Sequence, residues 1–285
     1  MSNNSNLNKE KLIAMAKDDS FLADIINQLH LSDEEIFYKF IDLMDMKLRE
    51  LSPEEYMDKV EIVRNADGSL QTKRYFANNE KNRQYLLYNN LILKELGNVK
   101  YKKTFSDINF NEEEYFDLYE YQNELKQALT SEDKYSKLKG FFVHSNNNVA
   151  REKLLSSIAN EMALSNKKTA YINVSYLMDE IKLSFDKTKN KDSGFLIGEL
   201  INCDVLLLDN IGYEKIPQWF FKILLKLLDF RIKNNKLTFF GSETPLSELN
   251  TILEHKDSKD KFVQKQINRL ITYVKNSIEC EVWVG

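Results

Sequence analysis

Four short, nearly unbroken apolar runs recur through the second half of the chain, at 140–144 (GFFVH), 167–174 (KKTAYINV), 204–209 (DVLLLD) and 236–241 (KLTFFG). Helical patterns separate them, at 150–164, 175–187, 193–201 and 216–233. A strand that is apolar on both sides must be covered on both sides, and strands joined through helices run parallel. The spacing therefore predicts an α/β domain, a parallel sheet covered by helices. A helix at 112–130, helices at 245–255 and 258–274, and a closing strand at 277–284 complete it.

The first hundred residues follow a different rule. Leu12, Ile13 and Met15, then Phe21, Leu22, Ile25, Ile26 and Leu29, mark two short amphipathic helices. Ser32-Asp33-Glu34-Glu35 has the form of a capping box and opens a third, with Ile36, Phe37, Phe40, Ile41, Leu43 and Met44 on its apolar side. Pro53 suits the first turn of a fourth. Residues 60–64 and 69–76 alternate around Asp67-Gly68, a hairpin signal, and helix resumes over 80–96. The polar run Gly97–Thr104 separates a smaller, mainly helical N-terminal domain (1–100, with its hairpin near 60–76) from the α/β domain (101–285).

Residues 140–164 read as strand, loop and helix, the place where such a sheet carries a phosphate loop. That loop, G-x-x-x-x-G-K-[ST], uses glycines to wrap backbone N–H groups around phosphates, a lysine to neutralise them and a hydroxyl to hold Mg²⁺. Here Ser145 and Ala150 replace the glycines around Asn146, Asn147 and Asn148, Arg151 replaces the lysine, and Glu152 replaces the hydroxyl residue. Asp209, at the end of the 204–209 strand, has the Walker B position, where an acid supports Mg²⁺ through water. An acidic neighbour orients the attacking water in hydrolysing enzymes, but Asn210 stands there. Glu243, after the 236–241 strand, occupies a position where a polar sensor meets the γ-phosphate, and a carboxylate repels it.

Magnitudes point one way. A single preorganised contact is worth ~2.7–4 kcal/mol in rate. Glu152 facing a phosphate adds repulsion of roughly 4 kcal/mol per charge pair at close range. Ala150 costs about 1–2 kcal/mol if the loop demands a left-handed residue there. Only Arg151 restores charge. The expectation is no catalytic residue, and ATP and Mg²⁺ bound weakly at best, the metal through Asp209.

Net charge is -4, so nucleic-acid contact requires a local patch. Lys182, Lys187, Lys189 and Lys191 form one near a helix end, with Tyr171 or Tyr176 as a stacking ring; a solvated face explains the same lysines. Lys265 and Arg269 share a helical face and read either as an arginine finger or as a surface stripe. Two cysteines and three scattered histidines make no zinc site. No run reaches the ~18 apolar residues of a membrane span. MSNNSNLNKEKL lacks a signal-peptide core, so a reducing cytoplasm is expected.

With these residues placed, 80–285 resembles the DnaI/DnaC-type replicative helicase loaders, primosomal AAA+ proteins related to the IstB transposition helpers. The resemblance rests on the charged helix 80–96, the link FSDINF (105–110), GFFVHSNNNVAREKLLSSIANEMA, DVLLLDNIGYEKIPQWF and KLTFFGSETPLSEL. Ile211-Gly212, Glu214 and Trp219 fit the loader pattern after the Walker B acid. It implies a C-terminal AAA+ (P-loop NTPase-like) domain, an N-terminal module that docks on the replicative DNA helicase, and handover of that helicase to single-stranded DNA under ATP control. Some relatives hold zinc before the AAA+ domain; residues 60–76 have no cysteine, so packing must hold the hairpin. With nucleotide weakened as cement, a monomer alone that assembles on its partner is expected. A weak ATPase using Arg151, and a regulator that binds helicase or initiator without loading, remain alternatives.

Overall fold

The computed structural model describes residues 2–92, 103–184, 193–254 and 261–285. The chain forms two compact units, Met1–Tyr85 and Leu86–Gly285.

In the first unit, helices α1 (Ser2–Asp18), α2 (Ser20–Gln28) and α3 (Asp33–Leu51) precede the antiparallel hairpin of β1 (Asp58–Arg64) and β2 (Leu70–Phe76). The Ser32–Glu35 capping box is formed, satisfying two backbone donors that the start of α3 leaves free. Ile36 and Leu43 are fully buried and share the core with Leu22, Ile25, Ile26 and Ile62. Ile41, expected on that face, is 79% exposed. At about 100° per residue it lies about 140° around the helix from Ile36, on the opposite side. No helix follows Pro53: six residues of turn separate α3 from β1, too few to repay nucleation.

Side-chain ion pairs tie the hairpin to α3. Val60 and Ile62 are buried, and two arginines and two aspartates close a ring above them. Arg49 and Asp45 come from α3, Asp58 from β1 and Arg74 from β2. Arg49 bonds Asp45 and Asp58 at 3.0 Å each, and Arg74 bonds the same acids at 2.7 and 3.0 Å. The hydrogen bond from Arg74 holds the Asp45 carboxyl below its ordinary range, and that from Arg49 does the same for Asp58.

The second unit starts inside α4 (Glu80–Asn90), earlier than the expected boundary at 100. Asn90 Nδ2 already donates to Ala163 O at 2.9 Å, and Ile92 N to Thr169 O at 3.0 Å, so this stretch belongs with the sheet. After a single 3₁₀ turn (Phe105–Asp107) come α5 (Phe116–Ala128), α6 (Glu132–Tyr135), β3 (Gly140–His144), α7 (Asn148–Leu164), β4 (Thr169–Asn173) and α8 (Val174–Ser184). Then follow α9 (Ser193–Asn202), β5 (Val205–Asp209), α10 (Gln218–Lys233), β6 (Leu237–Ser242), α11 (Leu246–Leu253), α12 (Lys261–Ser277) and β7 (Ile278–Trp283).

Five parallel strands run in the order β4-β5-β6-β3-β7. Alternate residues feed two cores. Phe141, Val143, Leu207 and Phe239 face α5 and α7, while Phe142, Leu206, Leu208 and Phe240 face α8 to α12. At the starts of β5 and β6 Arg231 is wholly buried, with no carboxylate partner among the described residues. Its guanidinium instead donates to the carbonyls of Leu200, Cys203, Asp204 and Leu237 and to Thr238 Oγ1, tying α9 and α10 to the starts of β5 and β6.

Two measurements test these supports. Arg231→Met strands several buried carbonyls and should cost roughly 2–4 kcal/mol in denaturant unfolding of the second unit. In the first unit Glu35, drawn down to about 2 chiefly by its hydrogen bond to Arg64, adds to the lowered Asp45 and Asp58. Depressed carboxyls stabilise above their unfolded values and lose that contribution as pH falls through the folded ones. Stability of this unit should hold at neutral pH and decline below about pH 4. Arg74→Gln should lower the neutral value and flatten the acid decline.

Candidate functional site

β6 lies between β3 and β5, so the turn after β3 and the acid ending β5 face each other across the end of β6. This is the strand-end crevice where open α/β sheets hold ligands. The sequence delivers the expected residues there, but their geometry closes the site from within.

Arg151 comes from the first turn of α7 and is fully buried. Its Nε donates to Asp209 Oδ1 at 2.7 Å, Nη1 to Ser145 O at 3.0 Å and Ser242 O at 3.2 Å, and Nη2 to Asn210 Oδ1. Asp209, 2% exposed, also accepts from Asn210 N at 2.8 Å on Oδ1 and from Tyr171 Oη at 3.0 Å on Oδ2. Burial, then the Asp209 charge, pushes the Tyr171 phenol far above its usual range, so it stays a donor. Gly241 makes room for this arrangement: a Cβ there would fall 2.2 Å from Asp209 Oδ1.

The loop is equally self-contained. Asn147 caps α7, its Oδ1 accepting from Ala150 N at 3.2 Å and its carbonyl from Arg151 N at 3.2 Å. Asn147 N turns to Ser145 Oγ at 2.9 Å, and Ser145 N to Ser242 O at 3.1 Å. Four of the amides expected to wrap phosphate are thus spent inside the protein. None of residues 145–152 has a positive φ, so the left-handed cost foreseen for Ala150 does not arise. The left-handed residue is instead Asn210, at φ 60°, which aims its side chain at Arg151.

The remaining expected residues divide. Glu152 and Glu243 are partly buried, and their side chains make no hydrogen bond to the described residues. Ser242, not Glu243, is the β6 residue that meets Arg151; it was missed because only its backbone carbonyl takes part. Asn146 and Asn148 are exposed beside the loop. Lys265 and Arg269 lie on the exposed side of α12, where Arg269 Nε donates to Tyr273 Oη at 2.8 Å. Lys182 is exposed near the end of α8, whereas Lys187, Lys189 and Lys191 lie outside the described residues. Tyr171 is buried and committed to Asp209, which corrects its reading as a stacking ring.

Open space lies beside α7. A cavity of about 870 Å³ is lined by Ile108, Phe110, Tyr115, Ala150, Leu154 and Val284, with Lys103 and Lys153 at its border. Ile108 and Phe110 belong to the FSDINF link, and nothing in their residue types marks a cavity.

The strand order and the crevice residues fix the architecture. This is the AAA+ P-loop fold. A crystal structure of DnaI shares it: TM-score 0.53 at 20% identity, covering 65% of this chain and 92% of that one. A putative primosome component from Streptococcus pyogenes serotype M3 superposes with TM-score 0.48 at 18% identity (71% and 96% covered), and the DnaC helicase loader with 0.36 at 17% (51% and 77%). No family model and no curated protein matches the chain.

An AAA+ site implies ATP and Mg²⁺, and these residues do not fit them. Both Asp209 oxygens are engaged within the protein, Arg151 fills the path to them, and the loop amides are bonded internally. Among the described residues no cluster of His, Cys, Asp and Glu could hold a metal either, and no helix is long and apolar enough to cross a membrane.

Removing only the cation exposes the cost of this plug. Arg151→Met leaves Asp209 buried and uncompensated, a loss of about 3–5 kcal/mol. Arg151→Met with Asp209→Leu removes both charges and should recover most of that loss in denaturant titrations. Equal destabilisation of the single and double variants would rule out the ion pair as the cause.

Proposed function

We propose that this chain is a replicative helicase-loader-like primosomal protein of the DnaI/DnaC type, whose AAA+ domain serves as scaffold rather than motor. The observation that carries the reading is Arg151 in the phosphate-lysine position, bound to Asp209 instead of to a phosphate. Support for the loader role comes from the fold shared with DnaI and from Ile211-Gly212 and Glu214 following the Walker B acid. In this reading the N-terminal unit docks on the replicative DNA helicase, and the second unit presents that assembly to single-stranded DNA near Lys182.

A motor must change shape between nucleotide states, and a shape change needs a ligand with different affinities for two conformations. Arg151 holds the residues that would sense such a ligand in one arrangement. Handover would then be triggered by the partner helicase or by DNA. The same plug favours a second reading, a regulator that holds helicase or initiator without loading it, since a site that does not cycle has no intrinsic release step.

Two measurements test the proposal. Calorimetric titration with ATP and Mg²⁺ should show no metal-dependent binding tighter than about millimolar, some 4 kcal/mol of standard free energy. Copurification with the source cell's replicative helicase should succeed equally with and without ATP. Micromolar, Mg²⁺-dependent binding with turnover would restore the ATPase alternative, and failure to retain helicase would remove the loader role. Transfer of helicase onto a single-stranded circle separates loader from regulator.

A further inference from the structure

A groove of about 440 Å³ runs between α10 and α12 on the surface of the second unit. On one wall Lys222 and Lys226 stand one helical turn apart, and on the other Lys265 and Arg269 do the same. All four are exposed, and Lys222, Lys226 and Lys265 make no ion pair among the described residues. Asp229, the acid that lines the groove, is held by Lys233 at 2.6 Å and by Tyr273 at 2.9 Å, so its charge is already answered. Between the two cation rows the floor is apolar: Leu225 is partly buried, and the Phe262 ring is 50% exposed. Gln266 lies with them, 8% exposed, and its Oε1 has no hydrogen-bond partner among the described residues. A buried acceptor left unpaired is costly, and a donor arriving from outside removes that cost.

Three kinds of chain carry rows of negative charge, and they fit this groove unequally. An extended acidic segment shows alternate side chains on one face, hence a single row of carboxylates. Both walls here are helices, so its backbone would also find no sheet edge to pair with. A single nucleic-acid strand likewise has one row of phosphates, and the chain's net charge of -4 opposes a long polyanion beyond the groove. A helix differs. Acids at i and i+4 on either side of an apolar stripe form two rows, with the same one-turn spacing as the cations on each wall. Lys222 to Asp229 spans seven residues, about 10 Å, which is two turns of such a helix.

We infer that this groove docks an amphipathic acidic helix of a partner protein. The apolar stripe of that helix covers Leu225 and Phe262. Its two carboxylate rows pair with Lys222 and Lys226 on one side and with Lys265 and Arg269 on the other. A side-chain donor within the stripe reaches Gln266 Oε1. Helix-in-groove binding of this kind draws affinity from the buried apolar row and selectivity from the flanking charges. The buried acceptor sharpens the selection, because a helix that covers it without a donor leaves it unpaired. No residue around Arg151 takes part, so the inference stands apart from the loader reading and survives if that reading fails.

The probe is a synthetic fluorescent peptide of about 18 residues, long enough to hold a helix when docked, with a leucine stripe, one central glutamine and glutamates on both flanks. Titrated with the full chain in about 50 mM salt, it should bind more tightly than about 100 µM and gain helical circular dichroism. Binding should weaken at least about tenfold in about 500 mM salt. A scrambled isomer of equal charge, and oligothymidylate, should each bind at least about tenfold more weakly than the helix peptide. Lys222→Glu with Lys226→Glu should abolish binding, and a peptide with lysines on the matching flank should restore it. Gln266→Leu should weaken the central-glutamine peptide and tighten one with leucine at that place, a reversal that loss of folding does not produce. Absence of binding up to about millimolar peptide would overturn the inference. Equal binding of the scrambled isomer would do the same, reducing the groove to a general anion patch. Tighter binding of oligothymidylate would assign it to nucleic acid, and self-association abolished by the same lysine reversals would assign it to a second copy; either result removes the partner helix.

Discussion

The buried pair of Arg151 and Asp209 governs what this fold can do. Two charges removed from water carry a desolvation cost that their attraction offsets only when the remaining polar atoms are also satisfied. Here that condition is met. Arg151 uses all three nitrogens, and Asp209 receives Asn210 N and Tyr171 Oη besides the guanidinium. The planar fork matters: a lysine has a single ammonium and could not reach Asp209, Ser145, Ser242 and Asn210 together. Each bond also draws separate elements into register, since the partners belong to the loop after β3, the end of β5 and the end of β6. The pair therefore holds these strand ends around one positive centre.

That substitution has a consequence for dynamics. A ligand-held site loosens when the ligand leaves, and that difference drives conformational cycling. A covalently supplied cation never leaves. To admit Mg²⁺, the protein would have to break the pair, rehydrate or rehouse a guanidinium, and free amides that Asn147 and Ser145 now occupy. The first unit follows the same logic at lower burial. Arg49, Asp45, Arg74 and Asp58 cross-link α3, β1 and β2 through side chains, where the resemblance associates some relatives with a metal.

Much of this was legible in the sequence, for physical reasons that differ by residue. Strands β3 to β6 were readable because burial on both faces forces unbroken apolar runs, and the Ser32 cap because it is local chemistry. Ile41 was misplaced because six apolar residues in nine overfill one face of a helix, and the sequence does not say which is left out. The degenerate loop was visible as substitutions at Ser145, Ala150, Arg151 and Glu152, but their outcome was not. Whether an arginine at 151 reaches outward to phosphate or inward to Asp209 depends on strand order, since β6 must separate β3 and β5 by the length of one guanidinium reach. Ser242 was invisible altogether, because backbone carbonyls leave no trace in residue type. The cavity at Ile108 and Phe110 was missed since its walls are apolar and read as core.

Arg231 shows that the plug is not an isolated oddity. Both wholly buried arginines of the second unit sit at sheet ends, one beside Asp209 and one without an acid, and both are saturated by carbonyls from consecutive elements. A guanidinium surrounded by carbonyl dipoles is less costly to bury than an ammonium, being more weakly hydrated and able to meet several acceptors in one plane. The two arginines fix opposite ends of β5 and β6, the strands through which a nucleotide signal would travel in a cycling relative. Strands anchored at both ends have little freedom to transmit one. On the scaffold reading proposed above, rebuilding the phosphate loop alone would leave both of these anchors in place.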